Sequence, residues 1–368
     1  MNYLFHLGRA PELSCLEIVS FLQRTEKPYK ILKITKKFML LELENFDAKE
    51  AIKCLGGTIK ISSDIQDAEK YITSHISSNK IEYGINVLES SQTSLNGLTA
   101  LIKTIAKRER IKAMHKHAQE REIPPSKSKN LDFELTLCKN NVYRVVAVSD
   151  PKSYGDRDEV RPYFDPLQVI SVRLAKILIN FAQPKKNDTL LDPFVGLGTI
   201  IQEASLMGIN AMGTDNDLNI VKKSQANISW ARNKFHFNTN PGVKILDVAR
   251  LSKELKNIGA IATEPYLGPY LKKMPWEGEA REIAAKVSRI YESFLIQASK
   301  LLKQGSKMAI VVPTFKTRNN KIIRIGFQSM LEKHKFNIYQ PLNNTLVPID
   351  YKLHNGKILR KIYILEKL

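Results

Sequence analysis

Cysteine is scarce: Cys15, Cys54 and Cys138 are the only three in 368 residues, far apart and without a Cys-x-x-Cys pair. A disulfide framework and a cysteine-based zinc site are therefore not expected, and a reducing, cytoplasmic setting fits. No apolar run approaches the roughly 18 residues that span a bilayer, so no membrane segment is expected. The opening Met1-Asn2-Tyr3-Leu4-Phe5-His6-Leu7 lacks the basic stretch, the longer apolar stretch and the cleavage site of a secretory signal. Internal repeats and low-complexity tracts are lacking too. Negative charge is in deficit, with 37 Asp and Glu against 57 Lys and Arg, a net charge of +20. The excess is uneven: residues 51–100 sum to −1, residues 101–150 to +5 and residues 301–368 to +10. Concentration in two segments points to a polyanion partner.

A chain this long exceeds one ordinary core, so several domains are expected. Residues 1–65 alternate strand-like stretches (Asn2–Leu7, Lys30–Leu43) with an amphipathic helix, Pro11–Leu22. Residues 66–150 read as a second α+β unit. Its longest helical pattern, Leu98–Ala118, carries Lys103, Lys107, Arg108, Arg110, Lys112 and Lys116, and strand-like Leu131–Leu137 and Val142–Val148 close it. Residues 151–165 read as a polar linker, and residues 166–368 as the remaining domain. Asp165-Pro166 suggests an N-cap opening a helix over Leu167–Ala182. Strands are then predicted at Thr189–Leu191, Ala211–Thr214, Val243–Leu246, Ala260–Thr263 and Met308–Val312, with helices at Thr199–Met207, Leu218–Lys234, Ala280–Lys303 and Lys321–Lys335. Two last strands flank His354-Asn355-Gly356-Lys357. Such alternation predicts an α/β, Rossmann-like, mostly parallel sheet covered by helices, closing with one antiparallel edge strand.

The sharpest motif is Leu190-Leu191-Asp192-Pro193-Phe194-Val195-Gly196-Leu197-Gly198-Thr199. A buried strand ends in a carboxylate, a glycine-bearing turn follows, and a helix begins. Gly196 and Gly198 permit close backbone approach. A dinucleotide site wants a third glycine, and Asp192 would repel pyrophosphate. The carboxylate suits a zwitterion with a cationic amino group, as S-adenosylmethionine presents. Asp215, followed by Asn216, ends the next strand about 20 residues on, where an acid can accept from both ribose hydroxyls. Asp247 ends the third strand, placed for an adenine amino group.

The fourth strand ends Ala262-Thr263-Glu264-Pro265-Tyr266-Leu267-Gly268-Pro269. This resembles the fourth-strand motif of amino-methyltransferases, which runs Asp or Asn, Pro, Pro, aromatic. An exocyclic base amine is a poor nucleophile because its lone pair is delocalised into the ring. An acceptor on its N–H groups favours a pyramidal nitrogen, and an aromatic ring stacks on the extruded base. Glu264 takes the acidic position, Pro265 the first proline and Tyr266 the second. Leu267 falls where an aromatic is usual, so Tyr266 supplies the ring only if the turn shifts by one residue.

Tyr154-Gly155-Asp156-Arg157-Asp158, Arg161-Pro162 and Leu174–Ala182 are similar to the segment before the cofactor strand in the THUMP-containing tRNA guanosine N2-methyltransferases, best to those acting on guanosine 10. The opening Tyr3–Gly8 and Pro11–Ser14 share the likeness. The resemblance implies a ferredoxin-like domain over 1–65, a THUMP-like domain over 66–150, tRNA as partner, and in some members a small zinc-binding activator protein. Two rivals stay open: a DNA amino-methyltransferase, and a nucleic-acid-binding protein that keeps the fold without catalysis. Arg157, Asp158 and Arg161 could contact phosphate, brace the domain interface, or form an intramolecular Arg–Asp pair. Pro313–Lys321, basic with Phe315 embedded, could grip RNA, and Trp276 could line a base pocket. Met114-His115-Lys116-His117 reads as a solvated basic helix end.

Overall fold

The computed structural model describes the chain except residues 117–121, 166–169, 344 and 352–356. The chain forms two compact units, one of Met1–Ile18 with Glu26–Tyr154 and one of Val19–Thr25 with Gly155–Leu368. Among the described residues no helix is long and apolar enough to cross a membrane.

The first unit is built on one eight-stranded sheet. Its strands are β1 (Asn2–Leu7), β2 (Tyr29–Ile34), β3 (Phe38–Leu43), β4 (Thr58–Asp64), β5 (Lys80–Val87), β6 (Lys112–Lys116), β7 (Phe133–Cys138) and β8 (Asn141–Val148), in the order β2-β3-β1-β4-β8-β7-β5-β6. The segments 1–65 and 66–150 thus share a continuous sheet, joined where β4 pairs antiparallel with β8. The basic helical pattern is displaced from its expected place. The helix runs Gln92–Arg108, capped by Ser91, and the chain then extends as β6. His115 therefore lies in a strand, stacked on Tyr83 with ring centroids 4.9 Å apart, while His117 falls outside the described residues.

The second unit carries a nine-stranded sheet. Strands β9 (Thr189–Asp192), β10 (Asn210–Asp215), β11 (Gly242–Ile245), β12 (Ile258–Thr263) and β13 (Lys307–Lys316) are parallel, ordered β11-β10-β9-β12-β13. Their interior residues, among them Leu190, Leu191, Ala260, Ile261 and Ile310, are fully buried, as strands covered on both faces require. The order reverses between β9 and β12, which makes a topological switch point with a crevice at the carboxyl ends. Beyond β13 the sheet turns antiparallel with β14 (Ile322–Arg324), β15 (Phe336–Ile338), β16 (Ile349–Tyr351) and β17 (Ile358–Lys367). The closing strand is not the edge that the sequence suggests, because β17 is inserted between β13 and β15.

Three further expectations are corrected. The supposed linker is helical over Pro151–Glu159. The helix ending at Ala182 begins at Val172 with Ser171, not Asp165, as its cap, and residues 166–169 lie outside the described residues. Ile322–Arg324 pairs with β13, which confines the following helix to Phe327–Lys333. The expected turn at His354-Asn355-Gly356 also lies outside the described residues.

Candidate active site

A cavity of about 1280 Å³ opens at the switch point. Its wall includes Pro193, Phe194, Gly196, Asp215, Asn216, Asp247, Glu264, Pro265 and Tyr266, so nine of the twelve residues singled out from sequence meet there. Parallel strands explain the gathering, since each delivers the residue at its carboxyl end to the same rim.

The glycine turn is shaped by contact. Gly198 has φ +85°, and a Cβ there would lie 2.5 Å from Ser224 Oγ. Gly196 has φ +50°, and its missing side chain would meet only the Phe194 carbonyl oxygen at 3.9 Å, leaving open space on the cavity side. Phe194 is braced edge-on against Phe294, with centroids 5.7 Å apart. Asp215 accepts from the Asp217 N–H at 3.1 Å, and burial pushes its carboxyl above the usual range. Asp247 lies two residues beyond β11, exposed, accepting from the Ala249 N–H at 2.8 Å.

Asp192, Gly198 and Thr199 are not on the wall. The Asp192 carboxylate accepts the Thr263 hydroxyl at 2.7 Å and the Phe194 N–H at 3.2 Å, tying β9 to β12. Burial, with Asp215 and Glu264 nearby, pushes it up to about 7. The structure places Asp192 behind the turn, with Oδ1 used for bracing. Thr199 is buried and accepts from Arg161 Nη1 at 2.7 Å. Arg157 binds Glu203, and Asp158 accepts the Val172 N–H at 2.8 Å. These linker residues brace the second unit internally, which removes them as phosphate contacts.

Glu264 follows β12 directly, and its side chain is only 12% exposed. Its Oε1 lies 3.3 Å from Arg360 Nη1 on β17, yet that buried oxygen has no hydrogen-bond partner. Burial raises the Glu264 carboxyl above its ordinary range, and the Arg360 charge opposes the rise. Pro265 is buried, whereas Tyr266 is half-exposed at the cavity. Lys357 Nζ donates to the carbonyls of Leu271 and Lys272 at 2.7 and 2.6 Å, fastening the loop after Glu264 to the start of β17.

Two aromatic expectations fail. Phe315 is fully buried in the core and has no face for RNA. Trp276 does not line the cavity; it is exposed, with the Arg318 guanidinium 4.9 Å from its ring centre. Sequence reasoning missed Arg360 and Lys357. The available signal for Arg360 was parity, since it shares a strand face with the buried Ile362 and Ile364.

A parallel sheet with a switch-point cavity, walled by a glycine turn and by acids from successive strands, defines a Rossmann-like methyltransferase fold. The family model for the RMKL-like methyltransferase domain matches residues 159–342, half of the chain, and the chain belongs to that family. The chain is 28% identical over 172 residues to the tRNA (guanine(10)-N2)-dimethyltransferase of Methanothermobacter thermautotrophicus, covering 47% of this chain and 46% of that protein. Its likeness to the enzyme of the same name from Methanocaldococcus jannaschii is 30% over 138 residues, covering 35% and 36%. The chain thus matches less than half the length of these curated relatives. The crystal structure of TrmN from Thermus thermophilus aligns over the full length of both chains with TM-score 0.51 at 13% identity, a likeness of fold.

Proposed function

We propose that this protein transfers methyl groups from S-adenosylmethionine to the exocyclic N2 of a guanosine in tRNA, at position 10 as in the names of its relatives. The observation that carries the reading is the Glu264 carboxylate at the cavity wall: Oε1 is sealed beside Arg360, and Oε2 has no partner among the described residues and stays accessible. The donor site fits the proposed cofactor. The open side of Gly196 leaves room for its amino-acid portion, Asp215 has acceptor capacity for ribose hydroxyls, and Asp247 beside Leu246 and Val248 suits an adenine ring. Bound there, S-adenosylmethionine supplies an electrophilic methyl group on a sulfonium centre.

The chain's own residues act on the acceptor. Glu264 accepts an amino N–H, which localises the nitrogen lone pair, and takes up the proton that the nitrogen releases on forming its new bond. A carboxyl held above its ordinary range by burial is suited to accept that proton. Pro265 stiffens the turn, and Tyr266 offers a ring on which a base can stack. Asp192 keeps the ends of β9 and β12 together, fixing the distance between donor and acceptor sites. We further propose that residues 1–65 and 66–150 hold the tRNA, consistent with the basic excess over 101–150.

Labelled methyl donor offered in parallel to tRNA and to duplex DNA tests the reading. Label in tRNA is expected. Label in DNA alone, or tRNA binding with no transfer, overturns it.

A further inference from the structure

Arg360 stands in the cavity wall and is only 17% exposed, with a guanidinium that is almost unused. Its contact with Glu264 at 3.3 Å is one of charge, without hydrogen-bond geometry. None of its five N–H donors makes a hydrogen bond among the described residues. No Arg360 nitrogen is among the buried atoms that lack a partner, so its donors reach the open cavity and are available to a ligand there. The neighbouring carboxylate is its complement, with Oε2 accessible and without a partner among the described residues. Side by side, the two groups present donors next to an acceptor, and the planar fork of arginine favours a flat partner with in-plane acceptors.

The geometry points to Arg360 as the residue that reads the base: it donates to guanine O6 while Glu264 receives the N1–H and amino donors of the same edge. This rests on the proposed transfer to guanine N2. Guanine carries an acceptor where adenine carries an amino group. Adenine in the same pose would set its amino donor against the donors of Arg360 and leave Glu264 without the ring N–H. The pair therefore selects the base that Glu264 activates, which makes Arg360 a specificity residue.

The test uses the full chain and two tRNA transcripts, carrying guanosine or 6-thioguanosine at the nucleotide that the wild type methylates. The thio base keeps both donors and exchanges only O6 for the weak acceptor sulfur. Wild type is expected to favour guanosine by about tenfold or more, the size of one good base contact. Arg360→Met should bring that ratio close to one. Arg360→Lys, which keeps the charge beside Glu264 but loses the fork, should fall between. A ratio unchanged in both variants, each melting as the wild type does, overturns the assignment and leaves Arg360 as a mere charge partner. If Arg360→Met does not fold, a wild-type ratio in Arg360→Lys overturns it equally. Wild type inactive on both transcripts sinks the functional reading itself, a result distinct from a lost ratio.

Discussion

Two buried glutamates of the second unit each face an arginine, and the two pairs are finished differently. Glu203 is fully buried and held on both oxygens: Arg157 Nε donates to Oε1 at 2.7 Å and Nη2 to Oε2 at 3.2 Å. Gln202 adds a third donor at 3.0 Å, Lys176 lies 3.9 Å away, and the Phe235 ring covers the guanidinium at 5.4 Å. Glu264 has one charge contact, on an Oε1 that makes no hydrogen bond, and its Oε2 has no partner among the described residues at the cavity wall. A closed pair recovers its desolvation cost within the protein, whereas an open one stays unsatisfied until a ligand arrives. The proposed chemistry falls at the second pair, and the first is scaffold.

The largest expected effect is on the open pair. Glu264→Gln should lower single-turnover methyl transfer roughly 10²–10⁴-fold, the usual worth of an acid–base group. Its thermal midpoint should be equal or higher, because a buried unsatisfied charge has been removed. A large loss of stability would erase the distinction between the pairs. On the closed pair, Arg157→Met should cost about 3–5 kcal/mol in denaturant unfolding, since the buried Glu203 loses its bidentate partner and keeps only the Gln202 donor and the more distant Lys176 charge. Replacing both partners with Met should recover most of that loss.

Asp192 sharpens the contrast through pH. Its folded value of about 7 lies above the ordinary 3.8, so its contribution to stability is fully present below about pH 4 and is lost as pH rises through 7. Asp192→Asn keeps an acceptor for Thr263 and should be more stable than wild type at pH 8, on the order of 2–4 kcal/mol. The gap should close by pH 4, and a gap that is constant with pH contradicts the account. The smallest effect is expected at an exposed Glu–Arg pair, Glu277 with Arg281 at 2.7 Å, where Lys321 also pairs and the carboxyl is held at about 2. Despite its short distance, Glu277→Gln should leave the thermal midpoint within about 1 °C, because water and salt screen such pairs.

The sheet of the second unit was legible because four of its five parallel strands end in a carboxylate or meet one within two residues, and strand ends share one rim. What lies at the rim was therefore readable, but which way a terminal side chain turns was not. Asp192 turns inward because Thr263, 71 residues later, offers it a hydroxyl. Ile322–Arg324 looked helical because its alternative partner, the far end of β13, is set by tertiary pairing. The helix at Pro151–Glu159 was hidden by its polarity; the buried Tyr154 and Arg157 hold it in place. Arg360 carries no local motif beyond its strand parity, and only the insertion of β17 beside β13 brings it to Glu264.

In the proposed reaction Glu264 acts on a guanine amino nitrogen. Mass spectrometry of nucleosides from tRNA incubated with methyl donor and either wild-type protein or Glu264→Gln tests this most directly. The expected result is N2-methylated guanosine with the wild type and none above background with the variant. Methyl groups on another nucleoside, or equal yields from both proteins, would contradict it.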